Sequence, residues 1–140
     1  MSPSHTTRTY LDTCVLIAAV RGDDPAHQAA MAVLDDPDRT FLTSDFVRLE
    51  TLPTARREHR CRELAFLAGF FKAAQAPERS QYGTIVDSAI EVATETGLRA
   101  LDALHVAAAR AMDADAIVTG DKAWEKLSAP PVQLLETASR

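Results

Sequence analysis

Four carboxylates stand where an α/β protein does its chemistry. Asp12 follows the apolar pair Tyr10-Leu11, and Asp121 follows Val118-Thr119-Gly120. Asp102 opens an apolar-periodic stretch after Leu101, and Glu50 lies inside another. Like charges brought close repel and raise each other's pKa. A divalent cation removes that conflict. Mg²⁺ and Mn²⁺ prefer oxygen ligands, and Mg²⁺ takes only one or two carboxylates while keeping several waters. No His/Cys grouping in the sequence has zinc spacing. Each acid also has a plainer reading. Asp12 and Asp121 precede helical stretches and suit N-caps. Asp102, in a first helical turn, suits the helix dipole. Glu50, in mid-helix, suits a solvated face. Residue by residue both readings stand. The pointer to a metal site is the joint pattern of four acids from separate segments, three of them at sheet-edge junctions.

The acids meet only if the elements around them converge. Residues 8–12 read as a strand carrying β-formers. Residues 14–20 form an apolar run assigned to helix for its Leu and Ala content. Asp24-Pro25 signals a helix start, with Pro at the first helical position, for a helix over 26–34. Residues 40–43 read as the second strand. Ser44 then caps a helix over 45–59 that Pro53 is expected to kink or break. A helix over 63–74 follows. Residues 82–95 carry an amphipathic stripe of Ile85, Ala89 and Ala93 with Val86 and Ile90 beside it, and Gly97 provides the stop. Residues 101–112 repeat the pattern through Leu101, Leu104, Ala108 and Ala111. A third strand over 116–119, a short helix over 122–127 and a fourth strand over 132–135 complete the chain. Such alternation predicts an α/β protein, a three-layer α/β/α sandwich with a central parallel sheet of about four to five strands. Ligands bind beyond the carboxyl ends of such strands, and the acids sit where the chain passes that edge.

The chain has 140 residues, 46% of them hydrophobic and 25% charged. That suits a single domain over 1–140 with a flexible tail at 1–7. It excludes disorder, collagen and coiled coil as descriptions of the whole. A net charge of -5 removes any overall attraction to nucleic acid, so binding must rest on a local basic patch. One exists: Arg48, Arg56, Arg57, His59, Arg60 and Arg62, interleaved with Glu58 and Glu63. It reads equally as a salt-bridged surface and as a phosphate-binding strip, which arginine suits. Two cysteines make no disulfide framework. The polar start shows no signal peptide, and the apolar run at 14–20 is too short to span a bilayer. The expectation is a soluble cytoplasmic protein with no membrane partner.

Four segments now carry a resemblance: Tyr10-Leu11-Asp12-Thr13 with its apolar continuation, Thr43-Ser44 leading to Glu50, Leu101-Asp102-Ala103-Leu104-His105, and Val118-Thr119-Gly120-Asp121. In this order they resemble the PIN-domain nucleases, and more closely the VapC-type toxins of bacterial toxin–antitoxin pairs. The similarity covers nearly the whole chain. It implies a PIN-like fold, catalytic and metal-binding roles for Asp12, Glu50, Asp102 and Asp121, and supporting hydroxyls at Thr13 and Thr119. Two positions depart from the family. Cys14 stands where a small polar residue is common, and the loop after Asp121 offers Ala123 and Trp124 but no further aspartate. A haloacid-dehalogenase-type phosphatase would need a second Asp where Cys14 stands. A response-regulator receiver would need an acidic pair that Asp12-Thr13 does not supply.

The resemblance implies Mg²⁺- or Mn²⁺-dependent hydrolysis of RNA by an endoribonuclease toxin. No covalent-catalysis arrangement is evident, so water is the nucleophile. The competing expectation is a catalytically silent PIN-like module that binds RNA or protein. His105, three residues after Asp102, reads as a packed or supporting residue, Cys14 as a small buried hydrophobe, and Trp124 and Phe70-Phe71 as packing. The implied partners are RNA, contacted by Arg48, Arg56, Arg57, Arg60 and Arg62, a cognate VapB-like antitoxin, and a second copy in a homodimer. The helices between residues 24 and 74 carry Leu49, Leu52, Leu64, Leu67, Phe70 and Phe71, with Phe66 beside them. Most of these are expected in the core, and the antitoxin groove is sought there.

Overall fold

The computed structural model describes residues 5–137. Residues 1–4 of the expected tail lie outside that range, and its last residue, Thr7, already opens the first strand. Four strands form one parallel sheet: β1 (Thr7–Leu11), β2 (Arg39–Leu42), β3 (Ala116–Thr119) and β4 (Val132–Leu134), in the order β2-β1-β3-β4. Among the described residues six α-helices flank it: α1 (Thr13–Val20), α2 (His27–Leu34), α3 (Asp45–Arg57), α4 (Cys61–Ala73), α5 (Tyr82–Thr96) and α6 (Ala100–Ala111). Short 3₁₀ turns occupy Arg79–Gln81 and Lys122–Lys126. This is the expected three-layer sandwich, with four strands. Sheets covered on both faces need strands that are apolar on both sides. The central strands comply, since Tyr10, Leu11, Ile117 and Val118 are fully buried.

Strand order decides where a site can form. From β1 the chain moves to β2 on one side, and β3 then lies on the other. The connections therefore leave β1 and β3 in opposite directions, and a crevice opens at their carboxyl ends. Leu11 is in register with Val118, and the Asp12 N–H donates to the Val118 carbonyl at 3.0 Å. Asp12 and Thr119 thus emerge side by side at the mouth of the crevice.

Several local expectations change in the folded chain. The Asp24 carboxylate accepts from the Ala26 N–H at 2.8 Å, and the His27 N–H is committed to the Asp24 carbonyl. Asp24-Pro25 therefore builds a turn, and α2 begins only at His27. Helix α3 runs through Pro53 without a break. The carbonyl that Pro53 cannot serve belongs to Leu49, and both residues face solvent, where water can substitute. The helix ends at Arg57, before His59 turns left-handed at φ 52°. In α5 the buried line is Ile85, Ala89 and Val92, whereas Val86 and Ile90 point outward. Gly97 closes α5 at φ 73°, its N–H on the Ala93 carbonyl at 2.9 Å, a geometry that disfavours any Cβ. In α6 the buried face runs through Ala103 and from His105 to Ala109, while Ala111 is exposed. Alanines let α6 press closely on its neighbours, so its core face is broader than a leucine stripe suggests.

No described helix is long and apolar enough to cross a membrane.

Candidate metal centre

Asp12 is both a cap and a site residue. Its Oδ1 accepts from the Thr13 N–H at 2.8 Å, capping α1. Its Oδ2 faces the crevice and accepts from the Thr119 hydroxyl at 2.7 Å and the Cys14 thiol at 3.4 Å. The two readings left open by sequence are therefore not exclusive, because a carboxylate has two oxygens. Thr119 serves twice as well: its hydroxyl donates to Asp12 and accepts from the Asp121 N–H at 3.1 Å. One buried side chain so fixes the positions of two acid-bearing segments. Asp121 in turn caps the 3₁₀ turn, its Oδ1 accepting from the Ala123 N–H at 2.9 Å.

Glu50 enters from the opposite wall. It sits on α3 at a position that faces α1 and α6, and its Oε1 accepts from the Thr13 hydroxyl at 2.8 Å and from His105 Nε2. Burial pushes the Glu50 pKa up, but the hydrogen bonds from His105 and Thr13 outweigh it and hold the carboxyl below its usual value. His105 keeps 1% of its surface and lies between Phe46 and Trp124, with ring centroids 6.3 Å away on each side. Its Nδ1 is 2.7 Å from the Tyr10 hydroxyl, which is itself 2.7 Å from Ser44 Oγ. Ser44 precedes α3 but makes no side-chain cap. Its hydroxyl is taken by Tyr10 instead.

Donor atoms of Asp12, Glu50 and His105 lie within 4.8 Å of one another. Asp102, in the first turn of α6, is half-buried on the rim of this group. Burial raises its pKa first, and the charges of Asp12, Asp121 and Glu50 raise it further, against a smaller opposing effect of His105. The four predicted acids are thus within electrostatic reach of one another, and His105 joins them. The arrangement fits a divalent cation on two counts: oxygen donors converge, and the surrounding charge is negative enough to disfavour ionising Asp102. Cys14 also belongs here. It is only partly buried, accepts from the Gly120 N–H at 3.2 Å, and has its thiol pushed up to about 12 by burial and by Asp12. A thiol so protonated acts as a donor to Asp12.

Sequence reading undervalued Tyr10, Ser44 and His105 as a connected set. The available signal was a tyrosine near the end of β1, a serine just before α3 and a histidine one turn after Asp102 in α6. Trp124 and the phenylalanines are packing residues as expected: Trp124 is fully buried, and Phe70 lies 6.2 Å from Phe41 and 5.7 Å from Phe71 between ring centroids. Of the helical apolar residues, Leu67 is buried, Leu52, Leu64, Phe66, Phe70 and Phe71 pack partly against the core, and Leu49 is exposed. A small cavity of about 80 Å³ separates α1, α3 and α4, lined by Ile17, Val20, Glu50 and Leu67 among others. The basic cluster divides. Arg48 pairs with Asp45 at 3.1 Å, and Arg60 with Glu58 at 2.5 Å and Glu63 at 3.6 Å. Arg56, Arg57 and Arg62 are exposed, with no ion-pair partner among the described residues.

Residues 9–130 match the PIN domain family. No curated protein matches the chain in sequence. In fold it is similar to VapBC2 from Rickettsia felis bound to a DNA fragment from their promoter, with TM-score 0.70 and 14% identity over 93% of this chain and 100% of that one. A toxin–antitoxin complex from Klebsiella pneumoniae gives TM-score 0.71 and 18% identity, over 92% and 98% of the two chains. DNA-bound VapBC from Salmonella typhimurium gives 0.69 and 15%, over 93% and 99%. At these identities the likeness is one of fold.

Proposed function

This chain belongs to the PIN-domain family, and from that premise we propose that it is a Mg²⁺- or Mn²⁺-dependent endoribonuclease toxin of the VapC type. The observation that carries the proposal is the convergence of Asp12 and Glu50, with His105, at the β1/β3 crevice, ringed by Asp102 and Asp121. Asp12, Glu50, Asp102 and Asp121 hold the cation directly or through water. When bound, it lowers the pKa of a water and offsets charge on the scissile phosphate. The protein's own part is to aim the acids. Thr119 fixes Asp12, Thr13 and His105 fix Glu50, Asp12 and Asp102 are the direct ligands, and Asp121 orients the attacking water. Because the acids alone would repel an RNA phosphate, cation and substrate depend on each other.

The free guanidinium groups of Arg56, Arg57 and Arg62, helped by Arg48 and Arg60, hold the RNA backbone. Arg57 lies seven residues beyond Glu50 on α3, about 10 Å along the helix axis, a distance of under two phosphates. The partner is a VapB-like antitoxin whose amphipathic helix seats in the groove between α1, α3 and α4. An arginine from it reaches the acid cluster, since its planar fork pairs well with carboxylates. The protein works as a homodimer in the cytoplasm.

The test is cleavage of a defined RNA by purified protein with Mg²⁺, Mn²⁺ or EDTA. The expected result is cleavage that EDTA abolishes and that Asp12→Asn and Asp102→Asn both lose. Cleavage that survives EDTA overturns the metal mechanism. A pure, folded protein that binds RNA without cutting it under any of these conditions makes the chain a silent interaction module instead.

A further inference from the structure

Glu50 reaches the crevice from α3 on a flexible side chain that keeps 30% of its surface. A carboxylate of that kind has several rotamers, yet here one oxygen is held by two donors, Thr13 and His105. Behind His105 stands a line of groups with no solvent contact. Tyr10, Ser44 and His105 are all 1% exposed or less. Their contacts run Ser44 Oγ, Tyr10 Oη, His105 Nδ1, then across the ring from Nε2 to Glu50.

The proton order along this line follows from counting donors and acceptors. An ionised Glu50 only accepts. With a neutral imidazole, Nε2 must then carry the hydrogen and Nδ1 must accept. Nδ1 can accept only from the Tyr10 hydroxyl, and the Tyr10 oxygen is then free to accept from Ser44. Of the two neutral tautomers this one satisfies every polar atom of the line, and the opposite one would set Nε2 and the carboxylate oxygen against each other as two acceptors. Nothing local to α3 supplies this constraint. It is delivered from β1 through α6.

We propose that His105 is a positioning residue for Glu50, its Nε2–H holding the carboxylate at the metal site while Tyr10 and Ser44 anchor the imidazole through Nδ1. The role rests on the nuclease reading of that site but is distinct from ligation. His105 keeps its Nε2–H and does not bind the cation itself. The packing of its ring between Phe46 and Trp124 fixes the ring plane, the Glu50 carboxylate keeps the hydrogen on Nε2, and the Tyr10 hydroxyl anchors Nδ1. Fixing plane and tautomer is the function that partners behind a ligand serve in metal sites.

The experiment combines ¹⁵N-histidine NMR on the whole metal-free protein with Mg²⁺ and Mn²⁺ titrations by calorimetry. In the wild type the His105 signals should be those of the Nε2–H tautomer and should remain so when Mg²⁺ is added. Glu50→Gln, whose amide can donate as well as accept, should give mixed tautomers, whereas Tyr10→Phe, which removes only a hydroxyl, should keep the Nε2–H tautomer. His105→Leu should weaken cation binding about 10–100-fold, and His105→Gln, whose amide N–H occupies the place of Nε2–H, should recover most of that loss. Cleavage is measured in parallel, with kcat expected to fall more than KM rises. An Nδ1–H tautomer in the wild type overturns the proposal. So does loss of the Nε2–H signal on adding Mg²⁺, which would make His105 a ligand, and so does wild-type cation affinity in a folded His105→Leu protein. If His105→Leu does not fold, the tautomers of the wild type and Glu50→Gln still decide. If the wild type neither binds a cation nor cuts RNA, the nuclease reading fails while the tautomer result stands on its own.

Discussion

The inner and outer halves of the acid cluster are built on opposite plans. Asp12 and Glu50, the inner half by their hydrogen bonds, meet several donors: a backbone N–H, the Thr119 and Thr13 hydroxyls, the Cys14 thiol and the His105 imidazole. Asp102, outside, has its ionised form disfavoured by burial and by its acidic neighbours. Asp121 uses one oxygen on a cap and is otherwise exposed. The inner half is therefore preorganised before any cation arrives, whereas the outer half carries the uncompensated charge. The difference teaches that a site of like charges divides its labour. One part sets geometry, and the other supplies the electrostatic demand that a cation satisfies.

The most damaging way to break this division is to remove the inner charge. Asp12→Asn should lower cleavage by about 10³-fold, since charge held at a phosphoryl transition state is worth several kcal/mol. The fold should persist, because Asn caps a helix as well as Asp does. Asp12→Ala should lose the activity and also about 1 kcal/mol of stability with the cap. Single-turnover cleavage and urea unfolding separate the two effects.

A smaller effect should sharpen the outer half. Adding Mn²⁺ to the wild type should raise Tm, and Asp102→Asn should blunt that rise. Without metal, the same substitution should itself raise Tm at neutral pH, by about 2 °C in a domain of this size, because it deletes a charge the fold disfavours. A lower Tm in the metal-free variant would show that Asp102 is structurally paired rather than strained.

The pH dependence distinguishes the halves by sign. Glu50 has its pKa lowered by folding, so its contribution is present above the unfolded value, near 4.5, and is lost as pH falls through the lower folded value. Asp102 has its pKa raised above the usual 3.8, so it favours the folded state at low pH and ceases to as pH rises through the folded value. In metal-free protein, Glu50→Gln should flatten the acid side of the stability profile. The advantage of Asp102→Asn should be present at pH 7 and vanish near pH 3. Thermal unfolding across that range reads both.

The mildest test concerns the cationic strip beyond Glu50. Replacing Arg56, Arg57 and Arg62 together with Ala should leave cation binding intact and weaken all RNA sequences alike. It should also reduce the magnitude of the salt slope by about 2–3, one phosphate contact per arginine. An unchanged slope would return these residues to an ordinary solvated surface.

The sequence by itself determined the layer class and the order of elements, and it singled out four acids at the sheet edge. Apolar runs at β1 and β3, the Gly97 stop and the Asp12 and Asp121 junctions are local signals, and each needs only its neighbours to be read. It also carried the family motifs in order. Its local rules failed where a different turn, a helix orientation or a distant partner took over. Ser44 suits a cap but bonds Tyr10, 34 residues earlier in the chain. Asp24-Pro25 resembles a helix start but closes a turn. Val86 and Ile90 sit beside an apolar stripe, yet the orientation of α5 leaves them outside. His105 shows this most clearly. Three residues after Asp102 it reads as one more packed side chain, and only the register of β1 against β3 and the approach of α3 to α6 give it Tyr10 on one nitrogen and Glu50 on the other. Helical and strand periodicities describe which face a residue takes. Which distant group waits on that face is set by strand order and helix packing, and the hydrogen-bonded line that fixes Glu50 exists only once the whole sandwich has closed around it.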